Sequence, residues 1–432
     1  MRTSPSVRIL VGLAAGLTLG ILAAATGAPA LASLADVAEP VGTLWLNALR
    51  MTIVPLVVSL LVTGVAAARD AATTGRIGGR TMLVIVLFLA GSGLFGALAV
   101  PLALDVIPVD PRTVDAFRGA LGRGGAPAGE VPGFAEWITG IVPSNVFDAA
   151  AEGAMLPLIV FAILFGLAIT RLAEEPRRQL LGFFSALRDA MMVIVEWVLR
   201  LAPIGVFALV LPLAARAGAG VVGALGYYVV LISAACVVVT LVLYPVASYF
   251  AGVPLLRFAR AAAHPQAVAF STRSSLASLP AMLEAAGGPL RIPPAVAGVV
   301  LPLTVSLMRF TTPVKDLGAA LFAAWIAGVE LTPATVAAGA AVVILTSLGG
   351  VGLPGQAVLV AQFTPVFLAV GAPLELLGPL LAVEVIPDAF GTVGNVTGDL
   401  AATAIVARDA PAADGAGSHE AQAVPTLHVL ES

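Results

Sequence analysis

Residues 384–399 read EVIPDAFGTVGNVTGD. Glu384, Asp388, Thr392, Asn395 and Asp399 fall at offsets of 0, 4, 8, 11 and 15 in this stretch. At about 100° per residue, these five positions share one helical stripe roughly 80° wide. The flanks, LELLGPLLAV before and LAATAIVA after, are apolar and long enough to carry one continuous helix through a bilayer. Carboxylates at that depth are costly and face a cavity, a partner or an ion path. The stretch therefore reads as a membrane helix with a polar working face.

Composition supports a membrane setting. The chain has 432 residues, 59% hydrophobic and only 11% charged, with a mean hydropathy of +1.03. Soluble domains carry about 25% charged residues. A transmembrane barrel would alternate over segments of roughly 10 residues, whereas the runs here are continuous. An all-α polytopic membrane protein follows. The formal net charge of −3 leaves no nucleic-acid footprint. The single cysteine, Cys236, lies in an apolar run and reads as a core thiol. His264, His419 and His428 are the only histidines, and no HExxH or GxSxG occurs. An enzyme thus lacks its parts, and no cofactor is expected. The apolar run over 9–32 exceeds a signal-peptide core and reads as a retained first helix.

Further hydrophobic runs fall at about 42–68, 80–104, 154–173, 190–215 and 221–251. Arg2, Arg8, Arg69, Arg76, Arg80, Arg171, Arg177 and Arg178 flank alternate ends, while the expected 33–40 loop has only Asp36 and Glu39. The positive-inside rule then places the N-terminus in the cytoplasm. The Gly/Pro/Asp-rich 105–135 stretch reads as an external, mobile loop, and the polar tail after Arg408 as disordered.

The second half of the chain is interrupted differently. An apolar stretch near 255–290 is broken by Ser271-Thr272-Arg273-Ser274-Ser275 and by Ser278. Another, near 332–370, is broken by SLGGVGLPG over 347–355. Each arm is too short to cross about 30 Å of hydrocarbon, so each pair reads as a re-entrant hairpin. Paired interrupted segments point to a transport site; ordinary interfacial loops are the plainer alternative. Between them, Arg309, Thr311, Thr312, Pro313, Lys315 and Asp316 interrupt residues 293–328. Pro313 removes a backbone donor and disfavours helix at Thr312, so this segment reads as a helix broken midway.

The ordered motifs AFSTRSSLASLP (269–280), SLGGVGLPGQA (347–357) and NVTGDLAATAIVAR (395–408) resemble the dicarboxylate/amino acid:cation symporter family, which includes the glutamate transporter homologues. LRMTIVPLVVSLLVTGVA (49–66), IVPSNVFDAAAEG (141–153) and APIGVFAL (202–209) extend the resemblance over about 8–408. It implies a homotrimer in the inner membrane, with eight transmembrane helices and two hairpins per protomer. Residues 1–78 would hold scaffold helices one and two, and 79–105 the third helix, which belongs to a moving transport domain. The external loop would fill 106–135. Scaffold helices four and five would occupy 136–218, and the remaining transport domain 219–408, before a tail at 409–432. The transport domain would move as an elevator, carrying a small amino acid or dicarboxylate with sodium or protons.

The same resemblance proposes site residues. Arg273, Ser274, Ser275 and Ser278 of the first hairpin, and Gly350, Val351 and Gly352 of the second, would face substrate. Arg309, Thr312, Asp388, Gly391, Thr392 and Asn395 would join them from the seventh and eighth helices. Asp388 would bind a substrate amino group. Asn395, Asp399, Ser306 and Ser347 would form the cation site. Glu384 is a candidate proton carrier or a passive neighbour of a water cavity. The serines also suit interhelical hydrogen bonding.

Three departures stand out. The family's Asn-Met-Asp-Gly-Thr motif in helix seven aligns with Met308-Arg309-Phe310-Thr311-Thr312, so two oxygen ligands become a thioether and a phenyl ring. A Thr-Ser ligand pair in helix three aligns with Phe88-Leu89. An Arg that clamps the side-chain carboxylate of acidic amino acids aligns with Gly391. Arg309 reads as a built-in cation paired with Asp399 or Asp388, which weakens or removes sodium coupling. The lost clamp tilts selectivity toward neutral amino acids, unless Arg309 or Arg273 replaces it and restores a dicarboxylate. Pro387, directly before Asp388, is expected to kink helix eight. The alternative function is a substrate-binding sensor or degenerate transporter without net flux.

Overall fold

The computed structural model describes residues 5–73, 75–107, 114–115, 117–119, 139–349 and 356–408. The expectations for Gly350, Val351 and Gly352, for most of the 106–135 loop and for the 409–432 tail lie outside these residues. Every regular element described is helical. Five spans are long and apolar enough to cross a membrane by length and composition: Val7–Thr26, Pro29–Asp70, Arg76–Val106, Gly220–Ala251 and Pro294–Ile326. Counting two bent helix pairs raises the number among the described residues to seven, and the shorter apolar Met155–Ile169 falls where the fourth expected helix lies.

The chain opens with α1 (Pro5–Thr26), α2 (Pro29–Arg50), α3 (Ile53–Thr73) and α4 (Arg76–Val106). The expected loop over 33–40 is instead the interior of α2. The turn comes earlier, where Gly27 has a φ of 62° and Pro29 starts the next helix. Glycine accepts that left-handed geometry without a Cβ clash, and proline suits a first helical turn. Charge and polarity at Asp36 and Glu39 thus marked the exposed face of an amphipathic helix. Glu39 pairs there with Arg216.

After α5 (Val146–Glu152) and α6 (Met155–Ile169) come α7 (Glu174–Arg200) and α8 (Ala202–Ala217), bent by 58° relative to each other. The first helix is built into the fold by close backbone contact with α8. A Cβ added at Gly12 would lie 2.2 Å from the Pro203 carbonyl oxygen, and one at Gly20 would lie 2.5 Å from Ala214 Cβ. Gly12, Gly16 and Gly20 thus form a small-residue seam of the kind that drives packing where lipid removes the hydrophobic contrast. On the neighbouring helix, Trp45 of α2 lies over Gly205 and donates from Nε1 to the Val198 carbonyl at 3.0 Å.

The second half supplies the interrupted elements. The long α9 (Gly220–Ala251) precedes the first hairpin, α10 (Leu255–Thr272) and α11 (Leu279–Gly287). The broken span is α12 (Pro294–Leu307) and α13 (Thr312–Ile326). The second hairpin is α14 (Pro333–Gly349) and α15 (Gln356–Val370), with its tip outside the described residues. A short 3-10 turn (Leu374–Leu376) and α16 (Leu377–Val383) lead into α17 (Val385–Arg408), with a bend of 74°. The polar stripe is therefore not on one straight helix. Glu384 occupies the corner, and Pro387 sits in the first turn of α17, where a missing N–H costs little. The kink expected at Pro387 lies at Glu384 instead. Helix α17 packs against α9, α10 and α12, while α13 packs against α4 and α15. Arg118, a described residue of the 106–135 stretch, donates to the Trp325 and Ile326 carbonyls at 3.1 and 3.3 Å and so caps the end of α13.

Gly12→Ala forces α1 away from Pro203 and is expected to cost about 1–3 kcal/mol, as overpacking does. Gly91→Ala meets nothing within 4 Å of the added carbon and is expected to be neutral or stabilising through helix propensity. Thermal melts of the two variants in detergent check the difference. Equal melting temperatures would contradict the seam.

Candidate functional site

The site begins at the break between α12 and α13. Met308 is extended, with φ −115° and ψ 116°, and α13 resumes at Thr312. Pro313 lies in the first turn of α13, where its missing donor was never needed. The break seats against a glycine face of α17. A Cβ added at Gly394 would lie 2.4 Å from Thr311 Cγ2, and one at Gly398 would lie 2.9 Å from Phe310 Cβ. The Thr311 amide donates to Asn395 Oδ1 at 2.8 Å, and its hydroxyl lies 2.8 Å from the Gly391 carbonyl and 2.9 Å from Asn395 Oδ1. The Asn395 oxygen therefore closes the break instead of pointing into open space.

Beside this lock lies a buried ion cluster. Lys315 Nζ is 2.9 Å from Glu384 Oε1 and 3.2 Å from Asp388 Oδ1. Tyr228 of α9 donates its hydroxyl to Glu384 Oε2. Phe363 of the second hairpin places its ring centroid 5.8 Å from the ammonium, within cation–π range. Arg309 acts electrostatically on Asp388 and Asp316. Asp316 lies within the fields of Lys315, Glu384, Arg309 and Asp388, yet neither of its oxygens accepts a hydrogen bond among the described residues. The cluster thus holds two cations and three carboxylates. Burying a charge without compensation is costly; Asp388 is partly exposed, Glu384 faces Lys315 and Tyr228, and Asp316 is the member that is fully buried with no hydrogen-bond donor among the described residues.

Lys315 was the residue the sequence reading passed over. It counted there only as an interruption, although it is the lysine that ties the seventh span to the eighth. Its signal was its burial-prone context: one lysine in the apolar run PVKDLGAALFAAWIAG, opposite a glutamate and aspartate spaced four apart.

The other expected residues distribute as follows. Thr392 donates to the Asp388 carbonyl at 2.7 Å. Thr312 is buried at the start of α13. Gly391 leaves room for Lys315, since an added Cβ would lie 3.5 Å from Lys315 Cδ. At the first hairpin tip, Arg273 ends α10 with a φ of 53°. The Ser278 hydroxyl donates to the Ser274 carbonyl at 3.0 Å, and Ser274 Oγ accepts from the Ala277 amide at 3.2 Å. Ser275 is half-buried. Phe270 meets Phe390 edge-on at 5.6 Å, and Gln266 donates to Thr397 Oγ1 at 2.7 Å, so this hairpin docks on α17.

The expected cation ligands have different surroundings. Ser306 is exposed, and Ser347 donates to Val343 within its own helix at 2.6 Å. Asp399 is fully buried, and neither oxygen accepts a well-formed hydrogen bond among the described residues. The Thr304 hydroxyl is near enough to act on it, but it donates to the Leu301 carbonyl at 3.2 Å. Phe310 and Met308 pack against Gly398, the residue beside Asp399. Phe310 in turn meets Phe88 of α4 edge-on, with centroids 5.7 Å apart. Aromatic and thioether atoms thus lie where the resemblance implies oxygen ligands.

A multi-pass helical bundle with two hairpins and charges buried at a broken span defines a membrane transporter. The chain belongs to the sodium:dicarboxylate symporter family, whose sequence profile matches residues 6–409. It is 29% identical over 408 residues to the proton/sodium-glutamate symport protein of Bacillus subtilis (strain 168), covering 93% of this chain and 92% of that protein. It is 28% identical over 378 residues to the proton/glutamate-aspartate symporter of Escherichia coli (strain K12), covering 86% and 84% respectively. A C4-dicarboxylate transport protein 2 of Ralstonia nicotianae is 29% identical over 412 residues, covering 93% of this chain and 88% of that protein. The protein is a secondary active symporter of the membrane, with the glutamate-transporter fold, and not an enzyme.

Removing one partner of the buried pair strands the other. Lys315→Met and Glu384→Gln are each expected to lower stability by ~3–5 kcal/mol. The double variant should lose less than the sum, with a coupling of roughly 1–3 kcal/mol in a double-mutant cycle. Thermal melts of the four proteins measure this. Additive losses would contradict the ion pair.

Proposed function

We propose that the protein is a proton-coupled, sodium-independent symporter of small carboxylates in the bacterial inner membrane. The observation that supports this most is the packing of Phe310 and Met308 against Gly398, the residue before Asp399, with Phe88 edge-on to Phe310. Sodium needs hard oxygen ligands, and none of these groups supplies one. Asn395, the remaining amide oxygen, is engaged by Thr311. Two built-in cations, Arg309 and Lys315, stand among the carboxylates instead. One fixed charge in place of a travelling ion leaves a proton as the species that still needs to come and go.

Glu384 remains the expected proton carrier by sequence, but its two oxygens face Lys315 and Tyr228. Asp316 is fully buried and has no hydrogen-bond donor among the described residues, so it is the better home for the proton. The substrate reading draws on the relatives, whose names specify glutamate, aspartate or C4-dicarboxylates. A homotrimer with an elevator-like transport domain and a cytoplasmic N-terminus completes the proposal, on the strength of the family resemblance and arginine placement. By the family resemblance, the tip over 347–355 would gate the site.

Reconstituted protein in liposomes is expected to accumulate glutamate, aspartate or a C4-dicarboxylate when an inward proton gradient is imposed. A sodium gradient should add nothing, and a protonophore should collapse the uptake. Asp316→Asn should reduce concentrative uptake by about a hundredfold or more, the scale of losing a proton-transfer group, and spare substrate exchange. Strict sodium dependence would overturn the coupling proposal. Substrate binding without flux under any gradient would replace it with the sensor reading.

A further inference from the structure

We propose that Lys315 acts as a tethered stand-in for a substrate ammonium group, setting the site against α-amino acids and in favour of amine-free carboxylates. This rests on the carboxylate-symport reading above and adds a specificity residue to it.

The argument starts from exposure. Within the cluster, Asp316 and Glu384 are buried, whereas the Asp388 side chain is 33% exposed. A ligand ammonium arriving at this depth needs a carboxylate partner, because an unpaired cation away from water is costly. Asp388 is the carboxylate of the cluster that such a group can reach, and Lys315 already lies 3.2 Å from its Oδ1. A second ammonium beside the first would meet like charge at close range in a low-dielectric setting.

Lys315 is also held in place. Glu384 Oε1 draws its nitrogen from the corner of the bent eighth span at 2.9 Å. The Phe363 ring covers it from the second hairpin. Its stem runs past Gly391, where any side chain would compete for the same space: an added Cβ would already lie 3.2 Å from Thr311 Oγ1 and 3.5 Å from Lys315 Cδ. A lysine normally snorkels toward water, but this one is 4% exposed and fixed on three sides. The geometry is that of a permanent occupant. A carboxylate without an amine avoids the conflict and brings its negative charge to a cluster in which Arg309 also carries positive charge beside Asp388 and Asp316.

The test compares ligands that differ only in the α-amino group: succinate with aspartate, and glutarate with glutamate. Equilibrium binding of each radiolabelled ligand is measured on the purified full-length protein. The wild type is expected to bind the amine-free member of a pair at least tenfold more tightly. Lys315→Met combined with Glu384→Gln removes both signs of the pair, protecting the fold, and should shrink that ratio by at least tenfold. Lys315→Arg, which keeps the cation, should retain the preference. Wild-type binding of aspartate and glutamate equal to or tighter than their amine-free partners overturns the proposal, whether or not the double variant folds. A preference that survives in the double variant also overturns it. Binding of none of the four ligands overturns the carboxylate reading itself, and the proposal falls with it.

Discussion

The contact on which the site depends is the ammonium of Lys315 buried between Glu384 and Asp388. It ties the second half of a broken span to the corner and first turn of a bent one. Neither discontinuity is a defect of packing. The break at 308–311 lets Thr311 present its amide and hydroxyl to Asn395, and the bend at Glu384 turns that carboxylate toward α13. Backbone irregularity at membrane depth survives only where its polar groups find partners inside the protein. Here the partners come from α17, whose Gly391, Gly394 and Gly398 allow the break to approach its backbone.

Electrostatics and packing divide the region in two. On one side, charges are concentrated: two cations, three carboxylates, a tyrosine hydroxyl and an aromatic ring lie together. On the other, at Gly398 beside Asp399, Phe310 and Met308 pack against the helix, with Phe88 edge-on to Phe310. A travelling cation would find few oxygen ligands on the second side and fixed cations on the first. Fixed cations keep buried carboxylates tolerable, and the proposed proton site is Asp316, fully buried and without a hydrogen-bond donor among the described residues.

Much of this was legible in the sequence. The stripe from Asp388 to Asp399 falls on one helix because the 3.6-residue period fixes its face. The hairpins and the broken span announced themselves through short apolar arms and polar interruptions. The family resemblance, carried by three motifs, agrees with the fold and with the profile matched over residues 6–409. The partners were less legible, because periodicity assigns a face and not the neighbour it meets. Lys315 looked like an interruption until α13 was set against α17. Gly391 read as a missing clamp, whereas in three dimensions it is also the space through which the lysine stem passes. Asp36 and Glu39 suggested a loop because charge marks both loops and exposed helix faces, and only the turn chemistry at Gly27 and Pro29 separates the two.

The central claim is that fixed cations and an aromatic plug have taken the place of a bound sodium ion. Equilibrium binding of radioactive sodium to the purified protein, with and without substrate, tests it most directly. The account predicts no saturable sodium binding in either condition. Stoichiometric sodium binding that tightens when substrate is added would contradict it.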